Sequence, residues 1–466
     1  MTSPLDDYLN PQRCPNARPQ VETMAAATRE LHDAIDDSIR EHGVPYLHPH
    51  DRTIMLDLLG SRGMIEFQEG KASFVFEGVA CWSELAQVYA RYGVEATRQL
   101  LTQVRSIEHA AGATLTDCGM QACALLFDAL VQEGTHAILM RQVYNKTRKY
   151  LEWLCTRLGA SMSIVDDGDY EALTAAVREE TVLIFAETFT NPLTRAVDPE
   201  RLGEFAATIR RDKARRLKLI VDNTIASAWN LKTPLLDQDG IDFVVASGTK
   251  SLAGQDRDLW GYIASNNVDV LNEIVDLQAM RGGVLDWRRA NAILEGLDAA
   301  RGAFERRCTS AARLAAFLES HPQVADVFHP SCPSHPDRKV IDKYYRLPGS
   351  LLSLRLVDAS EEEAKHFADV LVTCRVPRYA LSFDGLTTKV NHHLTVSEYF
   401  TPVEELKRMG IDRLVRLGIG VEAPEDIIAC LNWALWHYQE ISPTEVLDWQ
   451  DQRIQELGIR PPKRTQ

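Results

Sequence analysis

Segment 242–254 (DFVVASGTKSLAG) ends an apolar run in Ser247, Thr249 and Lys250, beside Gly248 and Gly254. Lysine is seldom buried without a task. A desolvated amine gives up its proton more readily and becomes a nucleophile able to form a Schiff base with a carbonyl. Two hydroxyls at the same strand end could bind a phosphate. A surface lysine in a polar loop would carry the same local sequence.

Three more apolar runs end in residues fit for chemistry. Segment 219–224 (LIVDNT) delivers Asp222 into a poorly solvated place, where a carboxylate needs a cationic partner; a helix cap is the other use of such an Asp. In segment 116–123 (TDCGMQAC) a strand gives way to a helix opening at Gly119, so the amides of Gly119 and Met120 would face an anion. Glycine at such a turn also has packing uses. Segment 185–192 (FAETFTNP) supplies Glu187 and Asn191 as hydrogen-bonding residues at the floor of a crevice. In an open parallel sheet, ligands collect at the carboxyl ends of the strands.

The elements that must position these residues are legible between about residues 114 and 263. Short apolar runs (ATLTD, HAILM, SMSIVD, TVLIFAE, LKLIVD, DFVVAS) alternate with longer amphipathic stretches (LLFDALVQ, TRKYLEWLCTRL and one after Asp198). Continuous apolar strands separated by helices predict a mainly parallel sheet covered on both faces, a three-layer α/β domain. A long helix from about Asp286 to near Pro322 precedes mixed strands and helices, which predicts a smaller α+β domain. The helical spacing of residues 21–43 predicts a helix in an N-terminal arm. The expected division is 1–80 arm, 81–285 large cofactor-binding domain, 286–440 connecting helix and small domain, and 441–466 a polar tail that frays. No internal repeat or low-complexity tract is present.

At 466 residues and 45% hydrophobic composition the chain can bury a large core. With 51 basic and 66 acidic residues its formal charge is −15, which repels phosphate backbones and anionic lipid surfaces. No nucleic-acid partner and no membrane association are expected, and no stretch nears the roughly 20 apolar residues of a membrane helix. The nine cysteines are scattered without paired spacing, so neither a metal site nor a disulfide framework is indicated. A cytoplasmic location is the expectation.

The pieces YARYG, TDCGM, VYNKT, ETFTNP, VDNT, SGTKSLAG, the long helix, LSFDG and LVRLGIGVE follow one another over about residues 89–435. In this order and spacing the chain resembles the cysteine and methionine metabolism family of pyridoxal-phosphate enzymes, which includes cystathionine synthases and lyases. The resemblance implies fold type I: a mainly parallel seven-stranded sheet between helices, a smaller C-terminal α+β domain and an N-terminal arm. It implies pyridoxal 5'-phosphate as cofactor, with Lys250 bound to it and Asp222 keeping its pyridine nitrogen protonated. Gly119, Met120, Ser247 and Thr249 match phosphate ligands, and Tyr144 matches the aromatic residue stacked on the ring and assisting catalysis. Tyr89 and Arg91 match a pair reaching the neighbouring subunit's phosphate, which implies a homo-oligomer sharing its active sites, a dimer or tetramer. Arg416 matches the arginine gripping the substrate α-carboxylate, with Ser382 and Asn191 supporting that pocket.

Departures from the family pattern fall around the substrate. The Asn-Pro-Thr after the Tyr-x-Arg motif is VEAT, the Gly-Gly after tyrosine is Asn145 and Lys146, and the His-Ser-Asp after the lysine is QDRD. SFDGLTTKVNHH replaces the usual SLGG pattern, with Thr387 where some relatives carry an acidic residue. The resemblance implies elimination or replacement at the β- or γ-carbon of a small amino acid carrying a leaving group, such as a homoserine ester, a cysteine-like or a specialised amino acid. Transamination or decarboxylation on the same cofactor, and a catalytically silent structural or regulatory relative, are the alternatives.

Overall fold

The computed structural model describes residues 90–458. From Ala96 onward they form one compact unit, while Ala90–Glu95 belong to another. The expected arm, the helix over 21–43 and Tyr89 lie outside the described residues.

The large domain is built on a seven-stranded sheet: β1 (Gly112–Thr116), β2 (His136–Met140), β3 (Ser161–Val165), β4 (Thr181–Glu187), β5 (Lys218–Asp222), β6 (Phe243–Ala246) and β7 (Gly261–Ser265). Their spatial order is β1-β7-β6-β5-β4-β2-β3. β3, β2, β4, β5 and β6 run parallel, while β7 is antiparallel to both β1 and β6. β1, β2, β4, β6 and β7 are buried along their whole length, which is why they read as unbroken apolar runs rather than alternating ones. The sequence pattern gave no separate signal for β7, whose five residues sit close behind the glycine-rich Lys250 loop.

Helices α1 (Glu95–Glu108), α2 (Gly119–Leu130), α3 (Asn145–Leu158), α4 (Tyr170–Ala176), α5 (Pro199–Asp212) and α6 (Val268–Arg281) complete this domain. Asp198 caps α5 by accepting from the Arg201 amide, with Pro199 at the first helical position. Helix α7 (Trp287–Glu319) follows, opened by Asp286, whose carboxylate accepts from the amides of Arg288 and Arg289. At 33 residues it spans roughly 50 Å and joins two cores. Ala290, Ile293 and Ala300 pack into the first, and Ala311, Leu314 and Leu318 into the second.

The second core lies against a five-stranded sheet of β8 (Val324–Phe328), β9 (Leu351–Leu356), β10 (Arg378–Tyr379), β11 (Lys389–His392) and β12 (Val415–Gly418), in the order β10-β11-β12-β9-β8. Helix α8 (Arg338–Tyr344) packs Ile341 and Tyr344 into the first core, while α9 (Glu361–Thr373), α10 (His393–Val396), α11 (Val403–Met409) and α12 (Pro424–His437) follow in the second part.

The tail expected to fray from 441 is instead helical over α13 (Pro443–Glu456). Ser442 and Glu445 form a reciprocal capping box, Pro443 occupies the first helical position, and Val446 is buried against the second core. The polar composition hid a cap that the spacing Ser-x-x-Glu encodes. Among the described residues, no helix is long and apolar enough to cross a membrane.

Candidate active site

The crevice forms where the carboxyl ends of β1, β4, β5 and β6 meet the loops of the second sheet. Gly119 opens α2 directly after β1, and a Cβ placed on it would stand 2.5 Å from the Cβ of Ser247. Only glycine lets the helix start approach the Lys250 loop this closely. The first amides of α2 therefore sit beside Ser247, whose own amide donates to Thr224 Oγ1 at 2.8 Å. Met120 turns its sulfur to the Thr147 hydroxyl at 3.8 Å. Thr249 is buried, and its hydroxyl accepts from the Trp260 amide at 3.0 Å and donates to the Trp260 carbonyl at 3.2 Å. Its side chain thus staples the loop to β7 and does not meet Ser247.

Asp222 and Glu187 end adjacent parallel strands as register partners. Asp222 accepts from the Thr224 amide at 2.8 Å, and no basic side chain among the described residues pairs with it. Burial raises its carboxyl from 3.8 to about 6. Glu187 accepts from the Tyr144 amide at 2.6 Å, and its second oxygen is buried without a hydrogen-bond partner among the described residues. Burial, and then the charge of Asp222, push its pKa well above the carboxylate range. Tyr144, a residue 43% exposed, sits at the N-cap of α3, and burial raises its hydroxyl pKa against the lowering charges of Lys146 and Arg416.

Lys250 reaches across to the second sheet's loop. Its amine lies 3.2 Å from Asp256 Oδ1 and contacts the Ser382 hydroxyl, which itself donates to Asp256. Burial, the largest cause, lowers its pKa from 10.5 to about 8. Arg416, on β12, is 3% exposed; it donates to Asn191 Oδ1 at 3.2 Å and to the Leu381 carbonyl at 3.1 Å. No carboxylate among the described residues pairs with it, and burial lowers its pKa to about 10. Lys250 and Arg416 flank one aromatic ring: Phe383's centroid is 5.0 Å from the Lys250 amine and 6.0 Å from the Arg416 guanidinium carbon.

Lys250, Asp222, Ser247, Gly119, Asn191, Arg416 and Tyr144 therefore gather around one crevice. Ser382 is present too, but its hydroxyl lies on Lys250 and Asp256, while the loop's contact to Arg416 comes from Leu381. Arg91 is exposed in a short 3-10 turn, Ala90–Tyr92. Sequence reasoning missed Asp256 and Lys389, which meet as an ion pair beside Lys250. It also missed Arg307 on α7, 1% exposed like its partner Asp384, with Nε 3.7 Å from Asp384 Oδ1. Ser350 also donates to that carboxylate. The pair anchors the loop that carries Ser382 and Phe383. Asp256 and Asp384 lie within the departures QDRD and SFDG, which was the available signal.

These residues fit pyridoxal phosphate. A buried carboxylate without a cation, Asp222, suits a protonated ring nitrogen; a glycine-opened helix start beside a serine suits a phosphate; and Lys250 supplies a desolvated amine. Among the described residues no group of three or more His, Cys, Asp or Glu side chains is placed to hold a metal.

Comparison with known proteins agrees. The pattern of the Cys/Met metabolism PLP-dependent enzymes matches residues 70–436. Cystathionine gamma-synthase 1, chloroplastic, of Arabidopsis thaliana is 32% identical over 374 residues, covering 80% of this chain and 62% of its own. The chain thus spans less than two thirds of that relative's length. The L-methionine gamma-lyase of Fusobacterium nucleatum is 28% identical over 388 residues, covering 81% of this chain and 94% of its own. The crystal structure of cystathionine gamma synthase from Xanthomonas oryzae pv. oryzae in complex with cystathionine superposes with a TM-score of 0.69 at 25% identity, covering 76% of this chain and 88% of its own. With the fold, the crevice and the match over most of its length in agreement, the chain belongs to the family of Cys/Met metabolism PLP-dependent enzymes.

Proposed function

We propose that this chain catalyses elimination at the β- or γ-carbon, or γ-replacement, on a small amino acid carrying a leaving group, of the homoserine-ester, cystathionine or methionine type. The observation that carries this reading is the buried guanidinium of Arg416, without a carboxylate partner among the described residues, on the same Phe383 ring as the Lys250 amine. A buried guanidinium without an acid is poised for a bidentate carboxylate. Its neighbour in the crevice is a lysine that burial makes a usable base. The names of the relatives, a gamma-synthase and a gamma-lyase, support the same chemistry.

When bound, pyridoxal phosphate supplies an aldehyde that the substrate amine can occupy and a protonated ring that takes up charge from the α-carbon. The first-turn amides of Gly119 and Met120, with Ser247, would hold its phosphate, Asp222 its pyridine nitrogen and Tyr144 its ring face, while Thr249, whose hydroxyl is bound to the Trp260 backbone, would hold the loop that carries Ser247 and Lys250. Arg416, steadied by Asn191 and Leu381, grips the α-carboxylate and so fixes which α-substituent faces Lys250. The neutral Lys250 amine takes the α-proton and returns it at a neighbouring carbon, with Asp256 and Ser382 receiving its N–H groups. Glu187 holds the Tyr144 backbone in place. We further assign Tyr89 and Arg91 to a neighbouring subunit's phosphate in a dimer or tetramer, and the chain to the cytoplasm on its scattered cysteines.

The test is incubation of the purified protein with O-substituted homoserines, cystathionine, methionine and cysteine, scoring release of the side-chain fragment. Release from at least one γ-substituted amino acid is expected. An α-keto acid formed with the side chain intact would replace this reading with transamination.

A further inference from the structure

Two departures from the family pattern, distant in sequence, meet in the crevice. Asp256 of QDRD lies between two lysines. One oxygen accepts from Lys250, and the other pairs with Lys389, the first residue of β11. Lys389 is 9% exposed, and Asp256 is its only carboxylate partner among the described residues. Burying an ammonium is costly unless it is paired. The surroundings are shaped for this pair. A Cβ on Gly385 would stand 2.5 Å from the Lys389 amine and 3.0 Å from Asp256 Oδ2, so a larger residue there would push the ends of these two side chains aside. Asp256 is held at φ +60°, with Gln255 at +50° and Ala253 at +74°, a backbone that non-glycine residues adopt only when the surroundings impose it.

We propose that Lys389 is a positioning residue for the Lys250 amine: its ammonium holds one oxygen of Asp256, leaving only a shared carboxylate for Lys250 and keeping that amine ready to act as a base. The proposal rests on the reading of Lys250 as the cofactor lysine. The charged groups facing Lys250 are Asp256 from its own loop, Asp384 from the loop before β11, Lys389 on β11 and Arg416 on β12. Asp384 is already engaged by Arg307 and Ser350. Burial lowers the pKa of the amine most, Asp384 works against it, and Arg416 adds to it; Lys389 stands beside the amine as a further like charge, which favours its neutral form. Removing the Lys389 charge deletes a repulsion and gives Asp256 wholly to Lys250. Both changes tighten the proton on Lys250.

The experiment reads the amine without turnover. The full-length chain, freed of cofactor, is acetylated with acetic anhydride at a series of pH values, and modification of the Lys250 peptide is followed by mass spectrometry. In Lys389→Met the Lys250 labelling midpoint is expected to rise by about one pH unit, a roughly tenfold loss of reactivity at neutral pH. Lys389→Arg, which keeps the charge, is expected to keep the wild-type midpoint. An unchanged midpoint in folded Lys389→Met would overturn the proposal. Should that variant misfold, Asp256→Asn serves instead: its midpoint is expected to fall, and an unchanged one would overturn the proposal equally. Failure of wild-type protein to attach pyridoxal phosphate at Lys250 would strike the cofactor reading separately.

Discussion

Glu187 and Asp222 stand side by side at matching positions on parallel strands, two buried carboxyl groups with no basic side chain between them among the described residues. Each raises the cost of ionising the other, so the pair binds protons more tightly folded than unfolded. A protonated pyridine nitrogen against Asp222 would relieve that cost, which links cofactor affinity to the stability of the sheet.

Asp222→Asn is therefore expected to have opposite effects on the two. The Asp222 carboxyl is raised from 3.8 to about 6, so as pH climbs through that window the folded state keeps a proton that the unfolded state has lost, and stability falls. The cofactor-free variant should melt above wild type beyond about pH 6, with the gap closing toward pH 4. Its affinity for pyridoxal phosphate should drop. Thermal melts of stripped protein and a cofactor titration check both.

Turnover should depend on the free Lys250 amine. Its pKa is lowered from 10.5 to about 8, and only the neutral form takes a proton from carbon. The rate at saturating substrate is expected to rise with pH through about 8. A rate flat between pH 7 and pH 9 would mean that the amine is not the titrating base.

Arg416→Lys keeps a cation but loses the planar fork. The expected outcome is a KM raised about 10- to 100-fold, from a charged hydrogen-bonded contact worth about 1.5–3 kcal/mol, with cofactor colour retained. Steady-state kinetics alongside an absorbance spectrum separate this from a general collapse of the site.

Arg307→Ala strands Asp384 without its cation inside the protein. Breaking a buried pair from one side is expected to cost about 3–5 kcal/mol in denaturant unfolding. Because Asp384 neighbours Phe383 and Ser382, turnover should fall as well. Loss of less than about 1 kcal/mol would mean that the pair does not anchor that loop.

How much the sequence disclosed followed from range. The buried strands announced themselves as continuous apolar runs, and the residues at their ends, Lys250, Asp222 and Glu187, were found simply by asking what ends a strand. The helix at 443–456 was encoded by Ser442 and Glu445 yet masked by polar composition. Strand β11 is four residues long and begins with a lysine, so neither period nor apolarity marked it. The pairs Asp256 with Lys389 and Arg307 with Asp384 depend on contacts between distant segments, which no local pattern records. What the sequence did show was that QDRD and SFDGLTTK were unusual, and the fold shows them to be complementary.

The most direct test of the account asks whether Lys250 carries the cofactor. Purified protein is supplied with pyridoxal phosphate, its visible absorbance is recorded, and the adduct is fixed with borohydride and located by peptide mass spectrometry. A yellow protein with the reduced cofactor on Lys250, colour kept in Lys146→Ala and lost in Lys250→Ala, is the predicted result. A colourless protein, or an adduct on another lysine, would contradict it and leave the chain a silent relative of its family.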